Sequence, residues 1–514
     1  MTALAHASWL GQLDSALATV SDLLYSWVLM WLLVGAGIFF TIRTRGVQLR
    51  HTGAIAASVV GSRDGRHGGI TSFQAFAVGL ACRVGTGNIV GVALALIMGG
   101  PGAVLWMWLV AILGTATAFS EATLAQLFKV RRSDGTFRGG PAYYISRGLR
   151  LPILGAVFAV LFLIANGLVM PMVQANAITA SLQGAGGLSP SLGAVLVVAL
   201  TAPVLLGGLR AMARVAEYLA PFMALAYLVL VLAILRTHPV QAWEALWSII
   251  EGAVGLRQGL GGVAGGLTAA LLNGVRRGLF SNEAGLGGAA CAAGSATVSH
   301  PVQQGFVQSL GVFVDTIVVC TVTALIVLLS GVYDPMAAKA DPGTANAAAN
   351  TLTSASVTHV LGGWAQYLMA IIIFVFAYSS LLGNYTYAQV NMDFLQGRQH
   401  KHYALRAMII VATAVGSLST LTFVWNLSDL VMGAMTVINM VSILALGGWA
   451  FGALRDWEAQ RRAVQAGQKE EIRFIATDNP YLPGDLPGEI WAVDGPAHAA
   501  ILERRAALEE ASGD

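Results

Sequence analysis

The sequence predicts an all-α polytopic membrane protein of eleven transmembrane helices. One extra N-terminal helix precedes two five-helix groups, a 5+5 inverted repeat in which two helices are discontinuous. Three observations predict it. First, of 514 residues 56% are hydrophobic and only 11% charged, with mean hydropathy +0.69; a soluble domain carries about 25% charged residues. Second, the apolar segments are long enough to cross a bilayer, and Lys and Arg crowd into alternate loops. Third, two of those segments are interrupted by glycine and polar residues at membrane depth.

In chain order, residues 1–21 read as an amphipathic helix lying on the outer membrane face, with Trp9, Leu10, Leu13, Leu17 and Val20 at helical spacing. No Lys or Arg precedes Arg43, so the basic region of a signal peptide is lacking. Crossings are expected at about 22–42, 71–99, 102–128, 152–181, 190–209, 213–235, 263–296, 303–331, 360–395, 404–423 and 428–453. Residues 22–70 hold the first crossing and a basic cytoplasmic loop, 71–236 the first five-helix repeat and 263–455 the second. The outer loop 237–262 carries Trp243, Trp247 and Glu251 and suits an interfacial helix, whereas Val332 to Val357 reads as a solvated hairpin. The tail, 456–514, is charged, broken at Asn479-Pro480 and Leu486-Pro487, and expected to be dispensable for transport.

With this topology 23 Lys and Arg fall on one side, 3 on the other and 3 within spans. The positive-inside rule then puts the N-terminus outside and the C-terminus in the cytoplasm; the expected location is a bacterial inner membrane. Cys82, Cys291 and Cys320 all lie in apolar segments and offer neither a disulfide framework nor zinc spacing.

The first interruption is Gly79-Leu-Ala-Cys-Arg-Val-Gly-Thr-Gly-Asn-Ile-Val-Gly-Val-Ala93. Glycine costs about 1 kcal/mol against Ala in a helix, and a backbone group without a partner in lipid costs several. A break there makes sense if the freed groups meet a ligand; the bland alternative is a glycine face for close helix packing. Arg83 favours the functional reading, because intramembrane charges are rare. The second interruption is Asn273-Gly-Val-Arg-Arg-Gly-Leu-Phe-Ser-Asn-Glu-Ala-Gly-Leu-Gly-Gly288. Each opens a five-helix group, and five being odd, the groups are inverted.

At the N-terminal end of the half-helix after the first break, Thr86 and Gly87 are the expected donors to a carboxylate, with Gly85 keeping the backbone open. Gln174, among apolar residues, is a further polar contact or an inter-helix hydrogen bond. Arg276, Arg277, Glu283, Glu121 and Asp315 read as charges that pair with one another and close the cytoplasmic half, Asp315 with an Arg; the alternative is that one carboxylate couples protons. No His lies in mid-span, which favours sodium over protons.

Several stretches carry a resemblance. They are Arg83-Val-Gly-Thr-Gly-Asn-Ile89, Gly99-Gly-Pro-Gly-Ala-Val104, Asp134-Gly-Thr-Phe-Arg-Gly-Gly-Pro141 with Tyr143-Tyr144, and Gln174-Ala-Asn176. Further along come Arg277-Gly-Leu-Phe-Ser-Asn-Glu-Ala-Gly285, Gly311-Val-Phe-Val-Asp-Thr316, and Trp425-Asn-Leu427 with Asp429. Together these resemble the alanine or glycine:cation (sodium) symporter family, of the leucine-transporter (LeuT) fold in the APC superfamily, over roughly residues 20–455.

The resemblance implies symport of small neutral amino acids (alanine, glycine, and serine or glutamine) with sodium as coupling ion, and no other cofactor and no nucleic-acid partner. It puts the substrate carboxylate at Gly85, Thr86 and Gly87 and the ammonium near Phe280, Ser281 and Asn282. It puts sodium on the carbonyls of Ala81 and Val84 with the hydroxyls of Ser379 and Ser380; Asn88 is a further ion or structural ligand. A pair of serines in a membrane helix is otherwise often back-bonded to its own helix. Two departures stand out. Arg83 holds a place where that fold often has a neutral residue, as if a fixed cation replaced a second sodium, and Asn384 stands where many members have Trp, which opens the pocket to polar side chains. A proton-coupled carrier and a transporter-like sensor are the alternatives. A membrane enzyme would need a catalytic pair at membrane depth, and the sequence offers none.

Overall fold

The computed structural model describes residues 2–60, 70–205, 208–254, 263–335, 342–397 and 402–497. Helix dominates, as a bilayer demands of any open-ended segment. The helices are α1 (Asp14–Arg43), α2 (Ser72–Arg83), α3 (Gly87–Gly99), α4 (Gly102–Leu127), α5 (Pro141–Arg147), α6 (Pro152–Gly186), α7 (Pro190–Leu205), α8 (Gly208–Thr237), α9 (Pro239–Ala253), α10 (Val263–Asn282), α11 (Gly288–Gly294), α12 (Pro301–Leu329), α13 (Pro342–Leu361), α14 (Ala365–Gln396), α15 (Tyr403–Leu418) and α16 (Leu421–Gln465).

Among the described residues six helices (α1, α4, α6, α12, α14 and α16) are long and apolar enough to cross a membrane, up to eight if bent pairs count as one crossing. The chain is therefore a multi-pass membrane protein. A helix lies at each of the eleven predicted positions, but α7 and α15 are shorter, and α10 is too rich in glycine and arginine to qualify on composition.

Helix α4 runs through the interior, buried along most of its second half, and packs against α10, α12 and α1. On the other side α6 packs against α14 and α15, and α2 against α8 and α14. The start of the N-terminal helix packs on α16. That helix is continuous from Thr2 through a π-helical turn at Tyr25–Leu29; the side chains of Trp9, Leu10 and Leu13 lie outside the described residues. A capping box of Thr71 with Gln74 starts α2, and the turn closing α1 is a left-handed cap in which Gly46 N–H reaches Thr41 O at 2.7 Å.

Three segments differ from expectation. Val332 to Val357 is largely helix α13 rather than a solvated hairpin, because its alanine run favours helix and one face is buried against α3 and α14. Helix α16 continues past residue 455 to Gln465. The tail then folds back: Phe474 and Trp491 are fully buried, and the Trp491 indole donates to Gln126 O at 3.0 Å. Within the outer loop, α9 leaves Trp243 and Trp247 exposed.

Candidate functional site

Helix α2 ends at Arg83, and α3 leaves it at an angle of 46°. Val84 leaves helical geometry (φ −76°, ψ 86°) with its N–H still on Leu80 O. Beyond it, Gly85 N–H donates to Asn88 Oδ1 at 2.9 Å and Thr86 N–H to Gln174 Oε1 at 3.5 Å. Gly87 then opens a π-helical turn, Gly87–Gly91; such turns recur at functional sites. Glycine is required here by close approach. A Cβ on Gly85 would strike Ser380 Oγ, and one on Gly87 would sit 2.8 Å from Phe280.

The second break follows Asn282. Glu283 (φ 54°), Gly285 (86°) and Gly287 (102°) all take left-handed backbone before α11 begins. Asn282 Oδ1 holds the turn by accepting Ala284 N–H at 2.9 Å. Glu121 on α4 accepts Gly285 N–H at 3.2 Å, and Asn439 on α16 donates to Gly285 O at 2.8 Å and to Glu121 Oε1 at 2.5 Å. The Tyr144 hydroxyl bonds Asn439 Oδ1.

The breaks meet at Asn88. Its Nδ2 donates to Asp315 Oδ1 at 2.6 Å and to Ser281 Oγ at 3.2 Å, while Ser281 Oγ donates to Asp315 Oδ2 at 2.5 Å. Asp315 is presented by a π-helical stretch of α12, Phe313–Cys320, and also accepts from Thr316 Oγ1 at 2.8 Å. Phe280 covers Gly87 and packs against Trp425, ring centroids 4.3 Å apart and the planes tilted by 33°. On the opposite wall, Ser379 and Ser380 donate to Ala81 O at 3.3 and 2.9 Å, and Ser380 also to Cys82 O at 3.0 Å. Both hydroxyls reach Phe376 O within their own helix as well, at 2.8 and 3.1 Å. Asn384, one turn beyond Ser380 and on its face, is buried. Among the described residues the Thr86 hydroxyl, Asn282 Nδ2, Glu283 Oε2 and both amide atoms of Asn384 meet no protein hydrogen-bond partner. Buried polar groups normally have one, so these atoms are the candidate contacts for a polar ligand.

The sequence-predicted residues therefore converge: Ala81, Gly85, Thr86, Gly87, Asn88 and Gln174 on one side, Phe280, Ser281 and Asn282 on the second, Ser379, Ser380 and Asn384 on the third. Val84 sits at the break itself. The arginines do not pair as expected. Arg277 pairs with Asp429 and lies 4.7 Å over Trp425; Arg276 reaches Asp22 at 2.7 Å. Both partners belong to the starts of α1 and α16, so this cluster ties α10 to the beginnings of those two helices. Asp315 takes Asn88, not an arginine. Arg83 is buried; its Nη1 donates to Gln308 O at 3.2 Å, while Nε and Nη2 have no partner among the described residues.

Two residues of the region escaped the sequence reading. Asn439 was one amide among many in a long apolar helix, although an amide in mid-span is itself a signal. Glu121 was legible as a charge but not as the acceptor for a turn more than a hundred residues away. The stretch around Asp134 is structural: Arg138 and Arg132 both grip Asp393 at 2.8 Å, tying a short hairpin to the end of α14.

Interrupted helices meeting inside an apolar layer, with unmet polar atoms between them, define a membrane transporter. Comparison with known proteins gives the family: the sodium:alanine symporter family profile matches residues 10–472, and the chain belongs to that family. It is 40% identical over 449 residues to the amino-acid carrier protein AlsT of Bacillus subtilis, covering 87% of this chain and 93% of that one. The probable sodium/glutamine symporter GlnT of the same organism is 38% identical over 452 residues (88% and 92%). The sodium/alanine symporter AgcS of Methanococcus maripaludis is 35% identical over 461 residues (87% and 99%). The protein is thus an amino-acid symporter and not an enzyme.

Proposed function

We propose that the protein couples sodium to the uptake of small neutral amino acids across a bacterial inner membrane, with eleven crossings in the LeuT-type 5+5 arrangement, N-terminus outside. One observation carries the reading: the Asn88 carboxamide bonds the first break through Gly85 and the second through Ser281, beside the Asp315 carboxylate. A cation among Asn88, Ser281 and Asp315, or among Ala81, Val84, Ser379 and Ser380, would therefore set the backbone that Gly85, Thr86 and Gly87 offer to a carboxylate. Ion and substrate then stabilise each other, a reciprocal coupling of about 1–3 kcal/mol.

The ammonium faces the second break at Phe280 to Asn282, and Gln174 steadies Thr86. The unpaired amide of Asn384 favours polar side chains, so serine or glutamine accompanies alanine and glycine; GlnT, named for glutamine, is a relative of similar length. A second reading is proton coupling, favoured by the buried carboxylates Asp315 and Glu283 beside the breaks. Uptake of radiolabelled alanine, glycine, serine and glutamine into proteoliposomes separates the two. An inward sodium gradient drives accumulation if the proposal holds; accumulation driven by an imposed pH gradient without sodium overturns it. Asn384→Trp should remove glutamine uptake and spare alanine.

A further inference from the structure

The cytoplasmic end of α1 and the far part of α16 enclose a cavity of about 560 Å³ that transport chemistry does not use. Its lining includes Arg43, Arg45, Arg50, Arg455 and Arg462 against a single carboxylate, Glu458. That carboxylate is already shared, by Arg50 Nη2 at 3.1 Å and His51 Nε2 at 2.9 Å. Arg43 lies 5.3 Å over the Phe451 ring, and among the described residues Arg455 and Arg462 donate to carbonyls, Tyr481 O at 3.2 Å and Glu458 O at 3.3 Å. Among the described residues the cavity thus holds an excess of guanidinium charge that Glu458 alone offsets.

The charge is held in place by the backbone. Arg45 and Gly46 both take left-handed conformations (φ 54° and 68°), and this turn brings Arg43, Arg45 and Arg50 to one mouth. Just above it, the outward side of α1 exposes Ile38, Phe39 and Ile42, and Leu49 beside the turn is 77% exposed. Apolar side chains open to lipid directly above a pocket of arginines are what a phospholipid meets with its acyl chains and its phosphate. Guanidinium forks fit phosphate bidentately, and basic pockets between helices on the cytoplasmic side are suited to anionic headgroups.

We propose that this cavity is a binding site for the headgroup of an anionic phospholipid, whose chains lie along α1. Full-length protein in detergent is titrated with dioleoylphosphatidylglycerol, dioleoylphosphatidylcholine or inorganic phosphate, and retained lipid is read by native mass spectrometry alongside thermal unfolding. Phosphatidylglycerol should be retained and raise Tm, with phosphatidylcholine and phosphate doing neither. Arg45→Gln with Arg455→Gln should weaken phosphatidylglycerol binding about thirtyfold. Glu458→Gln frees Arg50 and should strengthen binding several-fold, a gain that misfolding cannot mimic. Equal retention of the two lipids, an equal loss when two exposed arginines outside the cavity are changed (Arg131→Gln with Arg150→Gln), unchanged binding in Glu458→Gln, or displacement of the lipid by phosphate would each overturn the assignment.

Discussion

The two breaks look alike in sequence and are built differently. At the second, Glu121 and Asn439 take both backbone groups of Gly285, and Tyr144 completes the set. At the first, Asn88 and Gln174 hold two successive N–H groups, and the Thr86 hydroxyl is left with nothing among the described residues. The second break is braced further along. Gln126 and Lys129 both donate to Ala296 O just beyond α11, at 3.0 and 3.1 Å, and the tail residue Trp491 caps Gln126. Among the described residues each break keeps unmet side-chain atoms, the Thr86 hydroxyl at the first and Asn282 Nδ2 with Glu283 Oε2 at the second. The second has both backbone groups of Gly285 held from α4 and α16, whereas the N–H groups of Gly85 and Thr86 at the first are held across helices by one bond of 3.5 Å, to Gln174. A buried polar group is costly unless paired, so the unmet side chains at both breaks are candidates for a ligand's contacts, and the breaks differ in how firmly their backbone is held.

That contrast can be attacked in order of expected effect. Trp491→Ala removes a buried indole beneath the second break and should cost about 3–5 kcal/mol of stability, read as a fall in thermal unfolding temperature in detergent. A Tm close to that of the parent would show that the tail does not brace this region. Asn439→Ala leaves Glu121 and Gly285 O short of a partner; a loss of about 2–3 kcal/mol is expected by the same measurement. Gly85→Ala drives a methyl into Ser380, an overpacking of about 1–3 kcal/mol. Here the damage should appear in substrate affinity, about ten- to a hundredfold in uptake assays.

Thr86→Val should raise KM about fivefold, since one hydrogen bond is worth about 1 kcal/mol, with Tm unchanged because the hydroxyl has no protein partner to lose. If Thr86→Val lowered Tm and spared uptake, the two breaks would not differ as described. The smallest effect concerns pH. His300, at the loop between α11 and α12, is buried against Asp456 at 3.0 Å; burial outweighs the carboxylate and lowers its pKa below the ordinary value. A group whose pKa is depressed on folding stabilises above its unfolded value and loses that contribution as pH falls. Tm should therefore decline below about pH 6.5, and less so in His300→Gln.

Much of this was legible beforehand. The positions of the helices followed from apolar length, and both breaks from glycines and polar residues where lipid tolerates neither without compensation. The residues around the site were readable for the same reason. What was not readable was pairing. Arg277 and Asp429 are both visible as span charges, but nothing local says that they meet, nor that Asp315 turns to Asn88. Residues 332–357 misled because Asp and Pro at the start outweighed the alanine run behind them. Trp491 sat alone in a polar tail, and one aromatic residue gives no periodicity to read.

By itself the sequence determined where the long apolar helices lie and where helices are interrupted, because those are local matters of hydrophobic length and of the conformations that glycine permits. Only the tertiary structure decided which side chains meet the backbone freed at the breaks and which buried polar side chains are left without a protein partner. That depends on side chains brought together from helices far apart in the chain, and within a bilayer a hydrogen bond is decided by geometry rather than by composition.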